Sequence, residues 1–142
     1  MSLPFNPPIF KPDQTSEWEK HLEEEGYVVI NDILSNVELL AGINLFKQDL
    51  ATVSPRFDFD DSSTWSIETC PLMFGKGMAV FNGFGQSDFM WHLRLNPKIQ
   101  SIFKQIYSTN DLVTSLDGFS MFISKAQKSK PWLHVDQNPK ND

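Results

Sequence analysis

The sequence predicts an α+β protein in which helices come first and the strands of a sheet follow. Three observations carry this prediction: helical hydrophobic periodicity in two stretches before residue 107, β-branched and aromatic runs in the last third, and 40% apolar residues with 13% aromatic. At 142 residues the chain has the length of one domain, so we expect residues 1–142 to share one core.

The N-terminal stretch predicts an extended arm and then a short helix. Residues 1–12 contain four prolines and no periodicity, which is typical of an extended arm lying on the surface or left disordered. Ser16 and Glu19 have the spacing of a capping box, Trp18 supplies an apolar edge, and Gly26 is a stop signal. We therefore expect a helix from Ser16 to about Gly26.

A strand and a clearer helix follow. Residues 27–30 are β-branched and aromatic, which favours a strand. Ser35 and Glu38 form a second capping box at the start of a helix. The apolar stripe of this helix, which we expect to face the core, consists of Leu39, Ile43, Phe46 and Leu50.

Residues 51–87 lose this periodicity. Such a long irregular segment in a compact domain is typical of a functional or mobile element, here a lid over one mouth of the fold. Gly83-Phe84-Gly85 lacks the third glycine of a dinucleotide fingerprint, and Asp58, Asp60 and Asp61 lack the spacing of a calcium loop. We expect turns at both places.

Two helices and three strands are predicted in the remainder. Residues 89–95 form a short helix, and Asn96-Pro97 starts another that ends before residue 108. Asp88 and His92 are one helical turn apart, but no third donor is in register with them to complete a metal site. The strand-like runs are residues 112–116, 119–123 and 131–137.

Charge and composition exclude several classes of function. A net charge of -6 argues against nucleic acid as a partner. A single cysteine, Cys70, excludes a disulfide framework and favours a reducing compartment. The N-terminus does not resemble a signal peptide, and no run is apolar enough for a membrane span. We therefore expect a soluble, cytoplasmic protein.

The stretch Pro131-Trp132-Leu133-His134-Val135-Asp136-Gln137 is the one that suggests chemistry. On a strand, alternate side chains share a face, so His134 and Asp136 would point the same way. One imidazole and one carboxylate are two of the three ligands in the triad that holds non-heme Fe(II). Alternation in any half-buried strand also produces this pair, so the motif alone leaves both interpretations open.

The order of the predicted elements resembles a known family. The resemblance covers roughly residues 16–139 and is sharpest in the Trp-x-His-x-Asp-Gln string. The stretches that carry it are Gly26-Tyr27-Val28-Val29-Ile30, Leu95-Asn96-Pro97-Lys98-Ile99, residues 112–118 and Trp132-Leu133-His134-Val135-Asp136-Gln137. Together they are similar to the N-terminal half of the phytanoyl-CoA dioxygenase family.

The resemblance implies a fold and an activity. The fold is a double-stranded β-helix, a cupin-like jelly roll flanked by the N-terminal helices, and the activity is Fe(II)- and 2-oxoglutarate-dependent hydroxylation of a small organic substrate. His134 and Asp136 would be iron ligands. Met121 would line the cosubstrate site, and the alternative for a methionine there is ordinary core packing.

The sequence departs from the family pattern in one respect. The family completes its site with a second histidine and a 2-oxoglutarate-binding arginine on later strands, whereas His21, His92, Arg56 and Arg94 all precede His134. We therefore expect an incomplete jelly roll, either a fragment of a longer enzyme or a half-domain without the reaction. Its open strand edges predict self-association or marginal stability.

Two other functions stay open from the sequence. The chain would be a non-catalytic binding or interaction module if His134 and Asp136 were only structural. It would be a cupin-type protein if the pair held a divalent metal other than iron.

Overall fold

The computed structural model describes residues 6–71 and 77–121, and this part of the chain combines helices with short strands. The helices are α1 (Thr15–Glu25), α2 (Asn36–Val53), α3 (Asp88–Arg94) and α4 (Pro97–Ile106). The strands are β1 (Ile9–Phe10), β2 (Val29–Ile30), β3 (Met78–Ala79) and β4 (Phe119–Ser120). The predicted α+β class is confirmed.

The described strands form two separate pairs. β1 runs parallel to β2, with Ile9 opposite Val29, and β3 runs antiparallel to β4, with Ala79 opposite Phe119. Part of the predicted N-terminal arm is therefore a strand that pairs with β2. The double-stranded β-helix stays a prediction, as does the single domain.

Helix α1 starts one residue earlier than expected, and its predicted capping box is wrong. The residue before the helix is Gln14, and Ser16 lies inside the first turn. The start is set by a turn, because the Gln14 backbone N–H donates to the carbonyl of Lys11 and its side chain accepts from the Lys11 N–H. The predicted end is confirmed, since Gly26 adopts the left-handed conformation (φ 78°) that closes a helix.

Helices α2 and α4 have the predicted caps. The Ser35 hydroxyl accepts from the backbone N–H of Glu38, and the Glu38 carboxylate accepts from the Ser35 N–H at 2.7 Å. The Asn96 side chain accepts from the N–H groups of Lys98 and Ile99, with Pro97 in the first helical position. The neighbouring α3 is fastened to α2, because the Phe89 N–H donates to the Asp49 carboxylate at 2.7 Å.

An aromatic cluster on α2 forms the centre of the described structure. Phe46 makes edge-to-face contacts with Phe59, Phe84, Phe89 and Phe119, at centroid distances from 5.1 to 5.9 Å. One turn further along α2, Leu50 is fully buried and packs with Phe57. We call Phe46, its four ring partners, Leu50 and Phe57 the aromatic core.

The described part of residues 51–87 is mostly irregular, as predicted, and its role as a lid stays a prediction. Helix α2 continues to Val53, and the rest of the described segment contains two short 3-10 helices (Ser62–Thr64 and Phe84–Gln86) besides β3. No described helix is both long and apolar enough to cross a membrane.

The predicted strand at residues 112–116 is wrong for the described structure. These residues pair with no other described strand, and Val113 is 100% exposed. The end of this stretch instead lies very close to other backbone. A Cβ at Gly118 would overlap the carbonyl of Ala79, and a Cβ at Gly85 would overlap the carbonyl of Leu116. Side-chain alternation alone does not make a strand when no neighbouring backbone supplies the hydrogen bonds.

Candidate functional site

The predicted metal ligands His134 and Asp136 lie outside the described residues, as do residues 122–123 of the predicted strand 119–123 and all of 131–137. Their role as ligands stays a prediction. The described residues show what precedes them, namely β4 and Met121, which lead the chain into residues 122–142.

Met121 occupies a defined position after β4. Its backbone N–H donates to the carbonyl of Gly77 at 2.8 Å, and its half-buried side chain packs against the cluster of Leu50 and Phe57. These contacts are core contacts. A role in lining a cosubstrate site stays a prediction, and it requires part of the side chain to face away from the core.

The two described histidines are packed against other groups. His21 lies between the rings of Phe10 and Tyr27, at centroid distances of 5.3 and 5.2 Å, and its Nε2 is buried without a hydrogen-bond partner in the described structure. His92 Nε2 lies 3.0 Å from the carbonyl oxygen of Glu38. Within residues 6–71 and 77–121, no three His, Cys, Asp or Glu side chains are grouped to hold a metal.

The aspartate cluster after α2 forms the predicted turn. Asp58 accepts from the backbone N–H of Asp60 at 2.9 Å, and Asp61 accepts from the N–H of Ser63 at 2.9 Å. The hydrogen bonds from Ser63 lower the pKa of Asp61. Asp60 instead pairs with Lys47 on α2 at 2.7 Å. The three carboxylates thus have separate structural contacts.

Glu38 connects the N-termini of α2 and α4. Besides capping α2, its carboxylate accepts from Lys98 Nζ at 2.7 Å and from the Asn96 amide at 3.1 Å. The Lys98 contact, followed by those from Ser35, lowers the pKa of Glu38 to about 2. The capping box was visible in the sequence, but the link to α4 joins residues 60 positions apart and has no local signal.

Two apolar clefts flank these helices. The first, the α2 cleft, has a volume of about 530 Å³ and lies between α2, α3 and β4. The second, the α4 cleft, has a volume of about 460 Å³ and lies between the end of α3, one face of α4 and residues 112–115. Clefts of this size suit small organic molecules.

Arg94 is a residue whose position sequence reasoning missed. Its guanidinium donates to the carbonyl oxygens of Gly85 and Asp117 and lies 5.5 Å from the ring centroid of Trp91. The acceptors are backbone oxygens of distant segments, so no spacing pattern signals this arrangement. Arg56, the other arginine considered above, donates to the carbonyl of Glu68 at 2.6 Å.

Comparison with known proteins yields one similarity. Over 125 residues the chain is 26% identical to a protein of Aspergillus versicolor named "Ava biosynthesis cluster protein O". The alignment covers 87% of this chain but 40% of that protein, so the chain spans about 40% of the length of the curated relative it matches. No protein-family model and no solved structure matches the chain.

Proposed function

We propose that this chain is the N-terminal part of an Fe(II)- and 2-oxoglutarate-dependent oxygenase that resembles the phytanoyl-CoA dioxygenase family. On this proposal the chain continues into a double-stranded β-helix, acts on a small organic substrate and works in the cytoplasm. The observation that carries the proposal is the string Trp132-Leu133-His134-Val135-Asp136-Gln137.

The donor set of that string fits the metal. A neutral imidazole and a carboxylate, two residues apart on a strand, offer one nitrogen and one oxygen from a single face. His134 and Asp136 would hold the ion. When bound, Fe(II) with 2-oxoglutarate and oxygen supplies the oxidising chemistry for hydroxylation of a C–H bond.

The other residues of the string would support those two. If this string is a strand, Leu133, Val135 and Gln137 would point to its opposite face and anchor it to the fold. A ligating histidine usually gives its second N–H to a neighbouring acceptor, which fixes the tautomer. Met121, ten positions before Pro131, would close the cosubstrate site from the side of the aromatic core.

The order of elements in the described structure supports the proposal. Strand β2 is followed by α2 and later by α4, which is the order of the first stretches on which the resemblance rests, whereas residues 112–118 form no described strand. The name of the Aspergillus versicolor relative refers to a biosynthesis cluster, and hydroxylation of a small molecule is a common type of biosynthetic step. In a protein of that length, the second histidine and the arginine would follow residue 142.

Metal binding by the purified chain tests the proposal. We expect Mn(II), a paramagnetic substitute for Fe(II), to broaden the NMR signals of residues 132–137 selectively. His134→Ala and Asp136→Ala should each weaken this binding about tenfold or more, because each removes one of two protein ligands. Gln137→Ala, on the opposite face, is the matched control and should bind as the wild type does. Equal binding by all four proteins would refute the proposal.

The described structure also favours a second candidate, a non-catalytic binding module. The α2 and α4 clefts are apolar, and several large side chains along them are exposed, among them Leu39, Phe103 and Tyr107. The module interpretation predicts that Mn(II) does not bind residues 132–137.

Metal analysis of the protein purified without added iron separates iron from the other divalent ions of a cupin-type site.

A further inference from the structure

The α4 cleft is lined by aromatic side chains and by one charged side chain. The residues that matter for its chemistry are Trp91, Arg94, Gln100, Phe103, Tyr107 and Val113. The rings of Phe103 and Tyr107 are nearly parallel, with an interplanar angle of 15° and centroids 6.4 Å apart. Flat apolar surfaces of this kind favour an aromatic group over a flexible chain, because two rings gain from specific offset or edge contacts.

The positive charge in this cleft comes from Arg94. It is the one Lys, Arg, Asp or Glu side chain among the residues that line the α4 cleft. The ion pairs of the described structure join Lys20 to Glu24, Lys47 to Asp60 and Lys98 to Glu38, so Arg94 has no carboxylate partner there. Its two hydrogen bonds to backbone carbonyls hold the guanidinium in place. The remaining N–H groups of the five on a guanidinium can donate to a ligand.

No Asp or Glu side chain lines the α4 cleft to neutralise the charge of Arg94. Gln100 donates to the backbone carbonyl of Arg94 at 2.9 Å, which ties α4 to the end of α3. Asp111 and Asp117 flank residues 112–116, and neither lines the cleft, although the backbone carbonyl of Asp117 accepts from Arg94. A fixed, unpaired guanidinium beside apolar rings is suited to a carboxylate on an aromatic body.

We propose that the α4 cleft binds an aromatic carboxylate, with its ring between Trp91, Phe103 and Tyr107 and its carboxylate on Arg94. This inference is independent of His134 and Asp136 and stands without the proposed oxygenase function. The local positive charge favours an anion over a neutral molecule of the same shape.

A pair of probes that differ only in charge tests the proposal. 2-Naphthoate and its neutral analogue 2-naphthamide are titrated into the 142-residue chain and followed by ¹H–¹⁵N NMR. We expect shifts confined to residues 91–95, 99–107 and 112–115, and about tenfold tighter binding of the naphthoate. Equal affinities of the two probes, or naphthoate shifts spread over other parts of the chain, would overturn the proposal.

Variants at Val113 test whether charge in the cleft controls binding of the carboxylate. They should not disturb the fold, because this side chain lines the cleft and is fully exposed. Val113→Glu should weaken naphthoate binding about threefold relative to Val113→Gln at low salt, through repulsion between like charges. Both variants should bind the naphthamide equally. Equal naphthoate binding by the two variants would count against the proposal.

Substitution of the arginine gives the sharpest contrast. Arg94→Gln should abolish the preference for naphthoate over naphthamide while naphthamide still binds. If this variant does not fold, the Val113 pair decides. Shifts of the same cleft residues on simple dilution of the chain, without probe, would identify a second copy as the occupant and overturn the assignment to a small molecule.

Discussion

Helices α2 and α4 both carry an apolar stripe, yet the structure surrounds them differently. On α2, Phe46 and Leu50 are covered by aromatic rings from three later segments of the chain. Leu39 and Ile43 of the same predicted stripe stay 48% and 37% exposed, so only the second half of the stripe faces the core as expected. On α4, Phe103 and Ile106 stay 46% and 37% exposed. The stripe of a helix therefore fixes which face is apolar but not what covers that face.

The difference predicts a role in stability for the first region and a role in binding for the second. The aromatic core holds α2, α3, β4 and the irregular segment together, so its side chains contribute to the free energy of unfolding. The α4 cleft leaves its apolar surface accessible to an occupant, so its side chains should contribute to binding rather than to stability. Each prediction below tests that division.

Matched leucine substitutions should show the largest contrast. Leu50→Ala, at a side chain only 1% exposed, should lower the free energy of unfolding by about 2–5 kcal/mol through lost burial and a cavity. Leu95→Ala, at a side chain 64% exposed beside the α4 cleft, should change it by less than about 0.5 kcal/mol. Urea unfolding of both variants measures this, and similar losses would break the comparison.

A glycine between the two regions should show a smaller effect. An added methyl group in Gly85→Ala would overlap the Leu116 carbonyl, so either backbone must move, at a cost of about 1–3 kcal/mol. In Gly42→Ala, the control within α2, the new Cβ would lie 3.3 Å from a ring carbon of His92. Better helix propensity offsets that contact, and stability should stay within about 1 kcal/mol of the wild type. A Gly85→Ala protein as stable as the control would contradict the close approach of residues 85 and 116.

The smallest effect concerns the contact that joins α2 to α4. The folded state lowers the pKa of Glu38 from 4.5 to about 2, chiefly through Lys98 and Ser35. Its contribution to stability is therefore present above pH 4.5 and is lost as the pH falls toward 2.

Glu38→Gln should thus flatten the decline of the thermal midpoint across that pH range. Lys98→Gln should do so in part, and Glu19→Gln, exposed on α1, is the control. Parallel curves for wild type and Glu38→Gln would show that the carboxylate does not stabilise the helix junction.

Local signals predicted much of the described fold. The capping box at Ser35, the N-cap at Asn96 and the stop at Gly26 involve residues within a few positions of one another, so the partners are visible as local patterns. The box at Ser16 failed because the preceding turn through Lys11 competes for the same helix start. The strand at residues 112–116 failed because a strand needs a partner, and no local pattern reveals whether one lies alongside.

The two candidate sites also differ in whether a local sequence pattern reveals them. The proposed ligand pair His134 and Asp136 is visible in the sequence because its two members stand only two positions apart. The α4 cleft was not visible, because Arg94 is fixed by carbonyl groups 9 and 23 positions away. Contacts between distant segments form only on folding, and the sequence gives no spacing rule for them.

If the chain belongs to a longer oxygenase, as we propose, turnover by that protein tests the proposal most directly. The protein receives Fe(II), ascorbate, oxygen and 2-oxoglutarate, and succinate is measured. We predict release by the wild type, none above background by Asp136→Ala with an unchanged thermal midpoint, and none by residues 1–142 alone, which lack a second histidine after His134. Succinate release by Asp136→Ala, or by residues 1–142 alone, would contradict the assignment of His134 and Asp136 as two of three iron ligands.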